Sequence, residues 1–136
     1  MKLDLSSLVQ TIQQLEKSLS YAQSEAAKND PELFEQFRNS VIQCFEYTYE
    51  NSFKMLKREL EKNVLNIDSF DFRDLIREAA ERELISNIKN WFDYKRCRNM
   101  TSHTYDQDKA EEVYAVIPEF LQDVKALLRV LEERNR

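Results

Sequence analysis

The sequence of 136 residues has no glycine, two prolines, two cysteines and one histidine. The missing glycine excludes most. Walker-type phosphate cradles and Rossmann turns need it where backbone must approach a phosphate. A serine nucleophile elbow needs it too, and tight type I′ hairpins strongly favour it. One histidine rules out H-E-x-x-H zinc sites and paired-histidine clusters within a chain. A di-iron bundle needs Glu-x-x-His pairs, and Met100 stands three residues before His103. Cys44 and Cys97 are too far apart for a zinc finger. No run approaches the length of a membrane span. The polar opening Met1-Lys2-Leu3-Asp4 is unlike a signal peptide. The expectation is a cytoplasmic protein with reduced thiols and no membrane association.

What is present is an ordinary globular composition, 42% hydrophobic and 33% charged, with a net charge of −5. That charge argues against broad nucleic-acid binding but leaves room for a local basic site. A chain this long reads as one domain, residues 1–136. The expected fold is all-α: an up-and-down four-helix bundle with an additional short helix.

Leu5, Leu8, Ile12, Leu15, Leu19, Ala22 and Ala26 form one helical stripe. Asp30 and Pro31 suit the cap and first position of a second helix reaching about Val64. It carries two adjacent stripes, one with Phe34, Phe37, Val41, Cys44, Thr48 and Met55, the other with Ile42, Phe45, Tyr49, Phe53, Leu56 and Leu60. Such a face can touch two neighbours, or one neighbour and a second subunit. Ser69 or Asp71 caps a short helix with Phe72, Leu75, Ile76, Ala79 and Ala80 inward. A fourth helix runs from near Ser86 towards Ser102. The last begins near Asp106 to Asp108, where Asp108 and Glu111 have capping-box spacing. Val113, Val116, Ile117, Phe120, Val124, Leu127, Leu128 and Leu131 face inward, and Pro118 should kink or split this helix.

The stretch from Ile85 to Tyr105 is a basic island in an acidic chain. It holds Lys89, Lys95, Arg96 and Arg98 against Asp93, together with the single Trp and His. Interleaved with Trp91, Phe92, Tyr94 and Tyr105, it can hold an RNA phosphate and stack a base. The competing reading is a solvated helix face with Trp91 in the core. Asn99 and His103 extend the inward line of Ile85, Ile88 and Phe92. Arg98 lies five residues before His103, about 140° away on an ideal helix. Both reach one phosphate only if the helix ends before His103 or if two subunits share the site. Alternatively, His103 and Asn99 merely terminate the helix and Tyr105 staples the next one.

Arg98-Asn99-Met100-Thr101-Ser102-His103-Thr104-Tyr105 resembles the R-x-x-x-x-H-x-Y signature of the HEPN superfamily. More specifically it resembles the nucleotidyltransferase substrate-binding branch, toxin partners of minimal nucleotidyltransferases. Ile76-Arg77-Glu78-Ala79-Ala80, Trp91 and Ala110-Glu111-Glu112-Val113-Tyr114 stand in the order that branch shows. The resemblance implies a bundle that forms a homodimer, with the two signatures meeting at the interface. It implies a toxin of a two-gene pair acting as a metal-independent endoribonuclease, silenced when a partner nucleotidyltransferase adds AMP to the tyrosine, here Tyr105. The other role it implies is a non-catalytic nucleotide- or substrate-binding subunit of a two-component nucleotidyltransferase. An inert helical adaptor is the third possibility. For the nuclease, His103 is the acid or base and Arg98 the cation for developing phosphorane charge. Asn99 supports them, and Lys95 and Arg96 contact phosphate or RNA. The chemistry calls for no metal or cofactor.

Overall fold

The computed structural model describes all residues, 1–136. It contains six α-helices and no strand: α1 (Ser6–Ala22), α2 (Glu25–Lys28), α3 (Pro31–Glu61), α4 (Phe72–Glu81), α5 (Ile88–Met100) and α6 (Gln107–Arg134). Single 3-10 turns occupy Ile67–Ser69 and Thr101–His103.

Four helices make the bundle. On α1 and α3 the pairs Thr11–Thr48, Ser18–Ser40 and Ser7–Asn51 run in opposite directions. Asn90 with Asp123 and Arg96 with Glu112 do the same for α5 and α6. Phe34–Tyr114, Phe45–Phe120 and Glu59–Asn135 show that α3 and α6 run parallel. The direction therefore alternates through α1, α3, α5 and α6, as an up-and-down bundle requires.

One contiguous core follows the expected stripes. Leu8, Ile12, Leu15, Leu19 and Ala22 of α1 are buried, as are Val113, Ile117, Phe120, Val124, Leu127 and Leu131 of α6. The wide face of α3 is used on both sides. Thr48 meets α1, while Phe45 lies 4.8 Å edge-on from Phe120 of α6. Tyr94 and Trp91 of α5 complete that aromatic cluster at 5.0 and 6.1 Å from Phe120. Each such edge-to-face pair contributes about 0.5–1.5 kcal/mol beyond burial.

Local chemistry sets most helix ends. Asp30 caps α3 by accepting from the Leu33 N–H at 3.2 Å, with Pro31 first in the helix. Of Ser69 and Asp71, Asp71 caps α4, in a reciprocal capping box with Asp74. Asn87 caps α5.

Three expectations need correction. The first helix does not continue to Ala26. It stops at Ala22, and Ser24 accepts from the Ala27 N–H to start α2, which buries Ala27 and exposes Ala26. A serine that bonds backbone in a non-helical conformation resets the register. The cap of α6 is Asp106, which accepts from the Asp108 and Lys109 N–H groups, so Asp108 lies inside the helix. Finally, α6 is not split at Pro118 and runs unbroken through it.

Candidate functional site

The signature lies where α5 ends. Thr101 closes the helix, its hydroxyl donating to the Arg98 carbonyl at 2.8 Å. The chain then tightens into the 3-10 turn Thr101–His103. A 3-10 turn advances about 120° per residue instead of 100°. That winding turns His103 still further from the direction of Arg98 than an ideal helix would, so the two side chains do not converge within one chain. The α-helix does end before His103.

Arg98 is held by α3. Its Nε donates to Glu50 Oε1 at 2.6 Å, and Nη2 lies 3.7 Å from Glu46 Oε1. Nη1 points to the Thr101 hydroxyl at 3.4 Å. The side chain is 28% exposed, so its fork is oriented without being sealed from solvent. A planar guanidinium has five N–H donors, enough to keep these contacts and still meet phosphate oxygens. Glu46, Glu50 and Thr101 were not singled out in the sequence. Glutamates four apart share a helix face, but nothing local says which cation that face meets.

His103 is exposed, and its ring has no hydrogen-bond partner. It lies 6.1 Å from the Tyr105 ring at a steep angle. The His103 carbonyl accepts from the Asp106 N–H at 3.1 Å, joining the turn to the cap of α6. Tyr105 is 87% exposed and its hydroxyl is freely accessible. No hydrogen bond connects Arg98 with His103 within one chain; they share a helix end and access to solvent.

The remaining expected residues divide. Asn99 is exposed and does not continue the inward line. The inward line of α5 is Trp91, Tyr94 and Cys97, because Phe120 and its neighbours on α6 admit that face. Trp91 and Tyr94 are each 2% exposed, which removes both as base-stacking surfaces and places Trp91 in the core. The Tyr94 hydroxyl donates to Asp123. Burial, then the Asp123 carboxylate, push its pKa well above the usual tyrosine value. Arg96 pairs with Glu112 at 3.0 Å. Lys95 has no acid partner and lies 5.4 Å over the Phe72 ring.

Tyr49 underlies the charged cluster on α3. Burial raises its pKa most; Glu50 adds to the rise and Arg98 opposes it. A groove of about 700 Å³ between α1 and α3 reaches Glu50, with Tyr47, Asn51 and Phe53 on its wall. No group of three or more His, Cys, Asp or Glu side chains converges as a metal site would require. No helix is long and apolar enough to cross a membrane.

Fold and site together define a helical bundle that offers an arginine and a histidine from the closing turn of one helix. The chain belongs to the family described as nucleotidyltransferase substrate binding protein like, which matches residues 3–133. A Haemophilus influenzae protein named probable ribonuclease HepT is 46% identical over 99 residues, covering 71% of this chain and 68% of that protein. A solved Haemophilus influenzae structure, described as the fold of a substrate binding domain of a nucleotidyltransferase, superposes with a TM-score of 0.88 at 35% identity. It covers 95% of this chain and 99% of that one. A Thermus thermophilus structure shares the fold, with a TM-score of 0.69, 24% identity and coverage of 89% and 98%. The family resemblance and the all-α bundle expected from the sequence both stand.

Proposed function

We propose that the protein is a metal-independent endoribonuclease, the toxin of a two-gene pair, acting in the cytoplasm. The observation that carries this reading is the end of α5 before His103, which leaves the imidazole and the oriented Arg98 fork open to solvent at one helix end. The relative named as a probable ribonuclease supports it.

The RNA supplies its own nucleophile. A 2′-OH attacks the adjacent phosphorus, the bond to the 5′ oxygen breaks, and a 2′,3′-cyclic phosphate forms. One group must take the 2′ proton and another must give a proton to the leaving oxygen. Imidazole serves either role near neutral pH. Arg98, its plane set by Glu50 and Thr101, meets the negative charge that grows on the phosphorane oxygens. One chain has one imidazole. Two copies meeting at this end supply both, so the site is composite and the active form is a homodimer. Asn99, exposed one residue beyond Arg98, supports the phosphate or the partner's imidazole. Lys95 and Arg96 contact the flanking RNA. A partner nucleotidyltransferase adds AMP to Tyr105, whose hydroxyl is open and two residues from His103. The added negative charge and bulk repel RNA.

The second reading is a nucleotide-binding subunit of a two-component nucleotidyltransferase, favoured by the description of the Haemophilus structure. Expression alone separates the two. The nuclease arrests growth and cuts RNA in chelator, and His103→Ala or Arg98→Ala lowers cleavage by about 100-fold or more. Harmless wild-type protein that binds mononucleotides, or variants as active as wild type, would overturn the nuclease reading.

A further inference from the structure

A row of cations and half-buried phenyl rings leaves the site along the seam of α4 and α5. On α5, Phe92, Lys95 and Arg98 succeed one another at intervals of three, each a neighbour of the next on the helix surface. Across the seam on α4 stand Phe72 and Arg73. Lys95 Nζ lies 5.4 Å over the Phe72 ring, and Arg73 Cζ lies 5.2 Å over the Phe92 ring. The two rings are 6.0 Å apart, and Phe53 of α3 extends the series at 5.4 Å from Phe72. All three rings are half-buried. Neither Arg73 nor Lys95 pairs with a carboxylate, although acids are plentiful nearby. Those acids are already engaged: Asp71 and Asp74 in the capping box, Glu78 by Arg82 at 2.7 Å, Asp68 by Lys57 at 3.3 Å. Asp93 lies near Arg96 and Cys97 and pairs with neither Arg73 nor Lys95.

We propose that this seam is a binding track for single-stranded RNA, continuous with Arg98. Arg73 and Lys95 swing onto backbone phosphates, and the faces of Phe92 and Phe72 that they now cover are thereby bared for bases to stack. This rests on the nuclease reading for its biological substrate, though not for its chemistry. Flexible single strands are the nucleic acids whose bases can leave the stack and lie on phenyl or guanidinium planes. A duplex keeps its bases paired and offers only phosphates. An acidic protein surface would use the cations and leave the rings idle, so the alternation of ring and cation favours RNA.

The test uses the full chain carrying His103→Ala, which binds without cutting, and a fluorescein-labelled single-stranded RNA of twelve nucleotides. Arg73→Gln with Lys95→Gln removes both charges and keeps an alkyl stem over each ring. Arg129→Gln with Arg136→Gln, two exposed cations away from the seam, is the control for net charge. The double variant should bind at least tenfold more weakly in anisotropy titrations. The log–log salt slope should flatten by roughly 1.4, the value for two lost phosphate contacts on a single strand. Phe92→Leu, with charges intact, should also weaken binding severalfold. Loss no greater than in the control overturns the track, as does equal loss on a duplex of the same sequence. Unchanged RNA affinity with lost binding to the partner nucleotidyltransferase also overturns it and makes the seam a protein-docking face. Wild-type protein that fails to cut RNA yet binds through Arg73 and Lys95 refutes the nuclease and keeps the track. Wild type that cuts, with variants that bind normally, does the reverse.

Discussion

Tyr49 is 3% exposed and its hydroxyl has no hydrogen-bond partner, although charged Glu50 and Arg98 lie close above it. A buried hydroxyl without a partner costs about 1–3 kcal/mol in lost hydration. Tyr49→Phe keeps the ring that stacks on Phe53 and removes that cost. It should raise unfolding stability by about 1 kcal/mol, measured by urea denaturation; a loss of stability would mean the hydroxyl is used. Arg38 is a second oddity, 4% exposed, without a carboxylate, its Nε unpartnered and its Cζ 5.8 Å over Phe34. Neither was legible in the sequence. Tyr49 read simply as part of a stripe, and Arg38 was not singled out at all. Residue types report hydrophobicity, whereas satisfaction of one hydroxyl depends on neighbours brought from elsewhere in the chain.

At the scale of elements, helix ends were readable where one side chain makes the decisive bond. Asp30 with Pro31 is the clearest case, since cap and proline act within four residues. Positions were misread where two polar residues competed, as with Asp106 and Asp108, or where Ser24 restarted the backbone inside an apolar rhythm. Pro118 shows packing overriding propensity. Its ring is exposed, while Val113, Ile117, Phe120 and Val124 around it are fully buried. Burial of that face holds α6 together across a residue that lacks the N–H for the Tyr114 carbonyl. Pro118→Ala restores that bond without touching the core. It should raise stability by about 1–3 kcal/mol, read from the same denaturation curves. A neutral or negative change would show that the proline's shape is needed.

For the whole molecule, buried tyrosines set the response to alkali. Tyr49 and Tyr94 both have pKa values raised by folding, mainly by burial. A raised folded value means the native state holds its proton more tightly. The associated stability is complete below the unfolded tyrosine value near 10 and is lost as pH rises beyond it. Unfolding free energy should therefore fall steeply between about pH 10 and 11.5, and Tyr94→Phe should flatten that fall. An unchanged alkaline slope in the variant would exclude Tyr94 as a source. The sequence by itself determined the helical class, the core stripes of α1, α3 and α6, and the signature that marks the family. These depend on period, on short-range bonds and on a contiguous string of residues. Only the tertiary structure decided that Trp91 and Tyr94 belong to the core, that Arg98 is held by Glu46 and Glu50, and that Lys95 faces α4. Apolar residues stand on several sides of α5, among them Ile88, Trp91, Phe92, Tyr94, Cys97 and Met100, so its own sequence does not say which side turns inward. The neighbouring helices choose that side. An ion pair between residues 48 apart leaves no local pattern from which it could be read.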